Sequence, residues 1–187
     1  MIDRALNGAR HFSHVLVWIG GGLILLSAIL VTIEVFARKL LNVSIGGADE
    51  LSGYAFGVAT TFAFAYALFE RAHIRVDALY NLFPRPLRLV LSVIGLLLLL
   101  GFGAVAAWMA WSMVADTLQH GSRSITPMRV QLAIPQIPWL FGWCFFVLAG
   151  VLLLIAALKR LISGDQEGAD RLIGTKSVDE QIDDEAP

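Results

Sequence analysis

Uncharged apolar runs alternate with short charged segments along most of this chain. Four of the runs are long enough to cross a bilayer as helices: Val15–Ile33, Leu51–Phe69, Leu89–Ala115 and Val130–Leu158. The 19 residues of Leu51–Phe69 extend about 28 Å at ~1.5 Å per residue, close to the ~30 Å of a hydrocarbon core. The pattern therefore predicts an all-α membrane protein with four transmembrane helices.

A shorter amphipathic pattern lies between the second and third runs. Apolar residues recur there at helical spacing, at Val76, Leu79, Tyr80 and Phe83. This predicts a short amphipathic helix that lies in the membrane interface between spans two and three. Pro86 fits the first turn of the third span, where its missing N–H removes no hydrogen bond.

The segments outside the spans are short. We expect residues 1–14 to be a cytoplasmic N-terminus, 15–160 a four-helix transmembrane domain, and 161–187 an acidic, disordered cytoplasmic tail. The first run follows two arginines and so has the charge pattern of a signal peptide. Its 19 apolar residues exceed the ~7–15 of such a peptide, and no small-residue cleavage pattern follows it. We therefore expect a retained first span.

The amino-acid composition is typical of a membrane protein, and the four apolar runs leave little sequence for a further domain. Of the 187 residues, 57% are apolar and 16% are charged, which is too apolar for an ordinary soluble domain. Because little sequence remains beyond the four runs, we expect no separate catalytic domain. The single cysteine, Cys144, falls in the fourth run, so we expect no disulfide framework and no multi-cysteine metal site.

Basic residues are divided unequally between the two sides of the predicted bundle. With the N-terminus inside, the inner side holds eight Lys and Arg residues and the outer side holds four, the acidic tail being left out. Because positively charged loops stay cytoplasmic, both termini are predicted to be cytoplasmic.

Few residues offer chemistry within the spans. The four histidines lie at or beyond span ends, whereas a haem site between helices needs histidines inside the bundle. Common catalytic and nucleotide-binding motifs are absent from the sequence. We expect no catalytic, cofactor-binding or metal-binding residues and no enzyme activity; a haem-binding membrane anchor is the weakest alternative.

Glu34 is the acid that lies nearest to the interior of a span. Arg38 follows it at i+4, so the two side chains are expected to form an ion pair on one helix face. The alternative is a proton-relay role, which would make the chain a self-sufficient, ion-coupled small exporter.

The entry to the second span combines two acids with two glycines. Asp49 and Glu50 precede the apolar run, where acids complement the helix dipole and satisfy terminal N–H groups; docking to another subunit is compatible with that role. Gly53 and Gly57 have GxxxG spacing, which lets a second helix approach closely. The sequence leaves open whether that helix belongs to this bundle or to another subunit.

The motifs and their order resemble the small, four-span, Q-type membrane subunit of the TRAP (tripartite ATP-independent periplasmic) transporters over about residues 15–160. The resemblance rests on Asp49-Glu50-Leu51 before a Gly/Ala-rich span, His73-Ile74-Arg75-Val76-Asp77 after it, and Ile134-Pro135-Gln136-Ile137-Pro138-Trp139 before span four. Many members carry a Trp shortly before the paired acids, where this chain has Gly46-Gly47-Ala48.

The resemblance implies a scaffold in the bacterial inner membrane that braces a large permease subunit. A periplasmic substrate-binding protein would deliver an organic acid (a carboxylate), and the sodium gradient would drive its uptake; no cofactor and no nucleic acid is implied. The candidate contacts with partners or membrane lipids are Glu34, Arg38, Asp49, Glu50, Gly53, Gly57, His73, Arg75 and Asp77.

Overall fold

Four long helices and one short helix make up the fold in this computed structural model, which describes residues 2–44, 46–72 and 84–174. The helices are α1 (Ile2–Leu41), α2 (Ala48–Phe69), α3 (Arg85–His120), α4 (Ala133–Ile162) and α5 (Gln166–Ile173). The first four are long and apolar enough to cross a membrane. The prediction of an all-α membrane protein with four spans is confirmed. The predicted interfacial helix falls outside the described residues.

The first helix is longer than its predicted span. It runs without a break through residues 2–14, which the sequence assigned to a separate N-terminal segment. Leu6, Ala9, Ser13 and Leu16 recur at helical spacing and are buried, so packing against the bundle continues the helix. Its 40 residues extend about 60 Å, which exceeds a ~30 Å hydrocarbon core. Helix α1 therefore tilts in the membrane or protrudes from it.

Helices α2 and α4 form the centre of the bundle and run parallel to each other. Helix α1 packs antiparallel to α2, with Gly20 against Ala59, and α3 packs antiparallel to α4, with Leu100 against Gly150. Three alanines of the centre have no exposed surface: Ala65, Ala149 and Ala157. The α1–α2 and α3–α4 connections thus lie together at what we call the hairpin end, and α5 lies at the opposite, tail end.

Glycines set the closest approaches between helices. A Cβ atom on Gly20 would lie 3.2 Å from the Cα of Ala59. A Cβ atom on Gly142 would lie 2.6 Å from the Cβ of Thr61 and 3.0 Å from its carbonyl carbon. Such close backbone packing is what holds helices together where lipid removes the hydrophobic drive.

The fifth helix corrects part of an expectation. Residues 161–187 were expected to be disordered, yet α4 continues to Ile162 and α5 follows it. The Asp165 carboxylate caps α5 by accepting a hydrogen bond from the Gly168 N–H at 2.8 Å, and Ala169 and Ile173 are buried one turn apart. A cap and an apolar stripe are enough to fold this short helix onto the bundle. Residues 175–187 lie outside the described part.

The connection between α3 and α4 is a compact hairpin. Helix α3 ends at His120 and α4 begins at Ala133. Gly121 ends α3 in the left-handed conformation at φ 59°, which glycine adopts without steric cost. Ser124 N–H donates to Val130 O at 2.9 Å across a single β-bridge. We call residues 122–132 the outer hairpin.

Candidate interaction surfaces

Glu34 forms the predicted ion pair with Arg38. The Nη2 atom of Arg38 donates to Oε1 of Glu34 at 2.7 Å, and the Ser44 hydroxyl donates to the same oxygen at 2.6 Å. The Glu34 side chain is 3% exposed. Because Ser44 belongs to the α1–α2 connection, the carboxylate fastens that connection to α1. This geometry favours the structural pair over a proton relay.

Glu50 holds the outer hairpin against the start of α2. Its Oε1 accepts a hydrogen bond from the Tyr54 hydroxyl at 2.6 Å, and its Oε2 accepts one from the Thr126 hydroxyl. Thr126 in turn lies 2.8 Å from the Ser124 hydroxyl. Hydrogen bonds to a carboxylate are stronger than those between neutral groups. Glu50 is therefore a link between two parts of this chain.

Helix capping does not account for the paired acids. The N-cap residue of α2 is Gly47, which has no side chain and so makes no capping hydrogen bond. Asp49 and Glu50 lie in the first turn, where negative charge complements the helix dipole. Asp49 is exposed and attracts Arg38 electrostatically. Of the two acids, Asp49 is the one presented to the surroundings.

Gly47 explains a local feature of the sequence. The thioether of Met128 lies where a Cβ atom on Gly47 would stand. A side chain at this position would displace the Met128 side chain from the backbone of Gly47. The Gly46-Gly47-Ala48 stretch, where many TRAP small subunits are expected to carry Trp, thus fits a hairpin seated directly on the backbone.

Gly53 and Gly57 lie on an open groove. A Cβ atom on Gly53 would meet no atom within 4 Å, and one on Gly57 would lie 3.8 Å from Trp139. The groove has a volume of about 160 Å³ and is also lined by Pro135 and Gln136. The Oε1 atom of Gln136 is buried without a hydrogen-bond partner among the described residues. This surface thus offers small residues and open space to a neighbouring helix.

The groove brings together two of the sequence motifs that carried the family resemblance. Gly53 follows Asp49-Glu50-Leu51, and Pro135 and Trp139 belong to the motif before span four. They lie side by side because α2 and α4 run parallel and begin at the same end of the bundle. Sequence reasoning found both motifs but not their contact.

Arg10 and Glu70 form an ion pair at the tail end of the bundle, next to the chain segment that carries the interfacial motif. Arg10 Nη2 lies 2.9 Å from Glu70 Oε1, which ties the N-terminal part of α1 to the end of α2. His73, Arg75 and Asp77 fall outside the described residues, so their predicted contacts stay predictions.

Titratable side chains do not gather into a metal site within residues 2–44, 46–72 and 84–174. The ring of His14 contacts Tyr66, with centroids 4.8 Å apart, and His120 lies 3.2 Å from the carboxylate of Asp116 on the same helix. Cys144 is a free thiol on the surface of α4. These residues have ordinary packing and surface environments.

The fold and these contacts define a small multi-pass helical membrane protein. Its polar side chains hold the loops between the helices in place. The chain matches none of the curated proteins with which it was compared. Residues 27–160 match the sequence model of the DctQ component of the tripartite ATP-independent periplasmic transporters. The chain belongs to this family, which confirms the resemblance. It is the small membrane subunit of a TRAP transporter, and the family is one of transporter components rather than enzymes.

Proposed function

We propose that this chain braces the large permease subunit of a sodium-driven uptake system for an organic acid, to which a periplasmic binding protein delivers the substrate. The observation that carries the proposal is the family match over residues 27–160. The small size of this sequence supports a scaffold, since the four candidate spans account for most of its 187 residues. Recognition of the acid then belongs to the other two components.

The polar side chains within the described spans support a bracing role. The hydroxyls of Ser27, Thr32, Thr60 and Ser112 each donate to a carbonyl one turn earlier on their own helix. Such back-bonding satisfies a polar group in lipid without forming a path for an ion. Glu34, the acid that an ion-coupled exporter would need, is already engaged by Arg38 and Ser44.

We propose the groove at Gly53 and Gly57 as the contact with the permease subunit. Small residues there leave space for a second backbone to approach closely. We also propose that both termini are cytoplasmic, as the eight-to-four distribution of Lys and Arg indicates. The outer hairpin then faces the periplasm and the binding protein.

Co-purification with the permease subunit tests the proposal. A double variant, Gly53→Leu with Gly57→Leu, should lose most of the co-purifying permease and most of the uptake. The matched control is Gly101→Leu on α3, where a Cβ atom also meets nothing within 4 Å; it should retain both. If the isolated subunit transports a solute by itself, the chain is an exporter and the bracing role is wrong.

The interfacial motif is a second proposed contact with the partner or with lipid headgroups. Replacing Arg75 and Asp77 together with Ala should lower uptake, while substrate affinity of the separate binding protein stays unchanged. Wild-type uptake and complex stability in this double variant would remove His73, Arg75 and Asp77 from the proposed interface.

A further inference from the structure

An apolar cavity lies at the tail end of the bundle, between α2, α3, α4 and α5. Its volume is about 620 Å³, within the range of ~300–1,000 Å³ that is usual for small-molecule sites. Aromatic and aliphatic side chains form most of its wall, among them Phe64, Leu96, Phe102, Trp143 and Leu153. Arg71 is the one charged side chain among the described residues that line it.

The length of the cavity matches one leaflet of a bilayer. Trp143 and Leu153 both line it and lie ten residues apart on α4, a distance of about 15 Å along the helix. One leaflet contributes half of a ~30 Å hydrocarbon core, which is also about 15 Å. The cavity therefore has the length and the apolar wall that suit one lipid acyl chain.

A polar pocket adjoins the apolar cavity at its tail-end limit. It has a volume of about 370 Å³ and shares Arg71, Leu153 and Leu172 with the cavity. Its charged lining residues are Asp3, Arg10, Glu70, Arg71 and Arg160. Three positive and two negative side chains give a net charge of +1. The junction at Arg71 thus separates an apolar compartment from a positively charged one.

The backbone of Arg71 indicates that its side chain has a role at this junction. Arg71 has φ 57°, and it ends α2 with the Ala72 N–H donating to Ala67 O at 2.9 Å. Glycine is the usual residue at this left-handed position of a helix end, because other residues are strained there. The position holds an arginine in spite of that strain.

We propose that this junction binds one anionic phospholipid, with an acyl chain in the apolar cavity and its phosphate in the polar pocket beside Arg71. A phospholipid has the same division into apolar and anionic parts as the two compartments. Basic residues at the tail end also favour anionic over zwitterionic headgroups. The proposal goes beyond the proposed function and does not rest on the groove at Gly53 and Gly57.

Two variants separate lipid binding from folding. Arg71→Gly removes the charge and relieves the left-handed strain, so it should leave the helix end intact. Gly95→Leu fills the cavity, and a Cβ atom on Gly95 meets nothing within 4 Å, so the backbone stays in place. Gly101→Leu is the matched control, because it has the same open surroundings on the same helix.

The experiment measures phospholipid retained by the full-length chain after purification in mild detergent, with headgroups identified by mass spectrometry. The parent protein and Gly101→Leu should retain phosphatidylglycerol above its share in the membrane extract. Arg71→Gly should retain about fivefold less, as expected for about 1 kcal/mol per basic residue at a lipid surface. Gly95→Leu should retain as little as Arg71→Gly.

Three results would overturn the proposal: equal retention in all four proteins, no preference for phosphatidylglycerol over phosphatidylethanolamine, or loss of the lipid on assembly with the permease. The last result would mean that a protein segment fills the cavity. Thermal unfolding of each variant checks the fold. Co-purification of the permease, measured in the same preparations, tests the proposed function separately, since either result can fail without the other.

Discussion

Replacing Gly142 with Ala should force α2 and α4 apart at the centre of the bundle. The added Cβ atom would stand 2.6 Å from the Cβ of Thr61 and 3.0 Å from its carbonyl carbon. Thr61 has little freedom to move, because it is 2% exposed and its hydroxyl donates to Val58 O at 2.9 Å. The conflict therefore involves backbone, and a rotamer change does not remove it.

The free-energy cost of Gly142→Ala can be isolated by comparison with a glycine that has room for a Cβ atom. Overpacking a close contact costs about 1–3 kcal/mol, while any glycine-to-alanine change in a helix gains up to ~1 kcal/mol in helix propensity. Gly53→Ala has the same gain without a clash, since its Cβ atom meets nothing within 4 Å. The difference in free energy of unfolding between the two variants is then the overpacking cost alone.

Thermal unfolding in detergent measures that difference. For a chain of this length, 1 kcal/mol corresponds to about 2–4 °C in Tm, so Gly142→Ala should melt several degrees below Gly53→Ala. Adding Thr61→Ala to Gly142→Ala should recover part of the loss by removing the hydroxyl and methyl groups. Equal Tm values for Gly142→Ala and Gly53→Ala would refute the close α2–α4 contact.

Three further outcomes are expected. Glu34→Gln should retain far more uptake than replacement of an ion-coupling residue would allow, because Glu34 is a structural partner of Arg38; complete loss of uptake with normal assembly would favour ion coupling. Glu50→Gln should loosen the outer hairpin, because the amide offers one oxygen acceptor where the carboxylate offers two; we expect faster hydrogen exchange there, and unchanged exchange would mean that the Glu50 link is not formed. In a Cys144→Ala background, thiols placed by Ile125→Cys and Ser163→Cys should react with impermeant reagents from opposite sides of the membrane. Reaction of both from the periplasm would contradict the proposed orientation.

Local patterns account for what the sequence predicted correctly. Span number follows from comparing the length of an apolar run with the thickness of a bilayer, which needs no tertiary information. The Glu34–Arg38 pair was predictable because residues at i and i+4 are neighbours on any helix. Helix α5 had a local signal too, in the Asp165 cap and the spacing of Ala169 and Ile173, but the acidic composition of the tail concealed it.

Contacts between distant residues account for what was missed. Thr126 and Glu50 are 76 residues apart, and no local pattern marks a threonine in a loop as a partner for an acid in another helix. The glycines show the same limit. Gly53 and Gly57 have the recognised spacing and lie on an open surface, whereas Gly142 lies close to the backbone of another helix and has no motif around it. GxxxG spacing makes close packing possible, but the relative placement of the helices determines where close packing occurs.

The way α3 is attached gives the bundle unequal stiffness. Helices α1, α2 and α4 pack on one another, and α1 is tied to α2 at one end by Arg10 and Glu70. Among the described residues, helix α3 packs mainly against α4, with a smaller contact to α5. A helix held mainly by one long neighbour can move sideways more easily than a helix packed between two long neighbours. Lateral load from the surrounding bilayer would therefore be taken up first by α3, while the α1–α2–α4 unit keeps its shape.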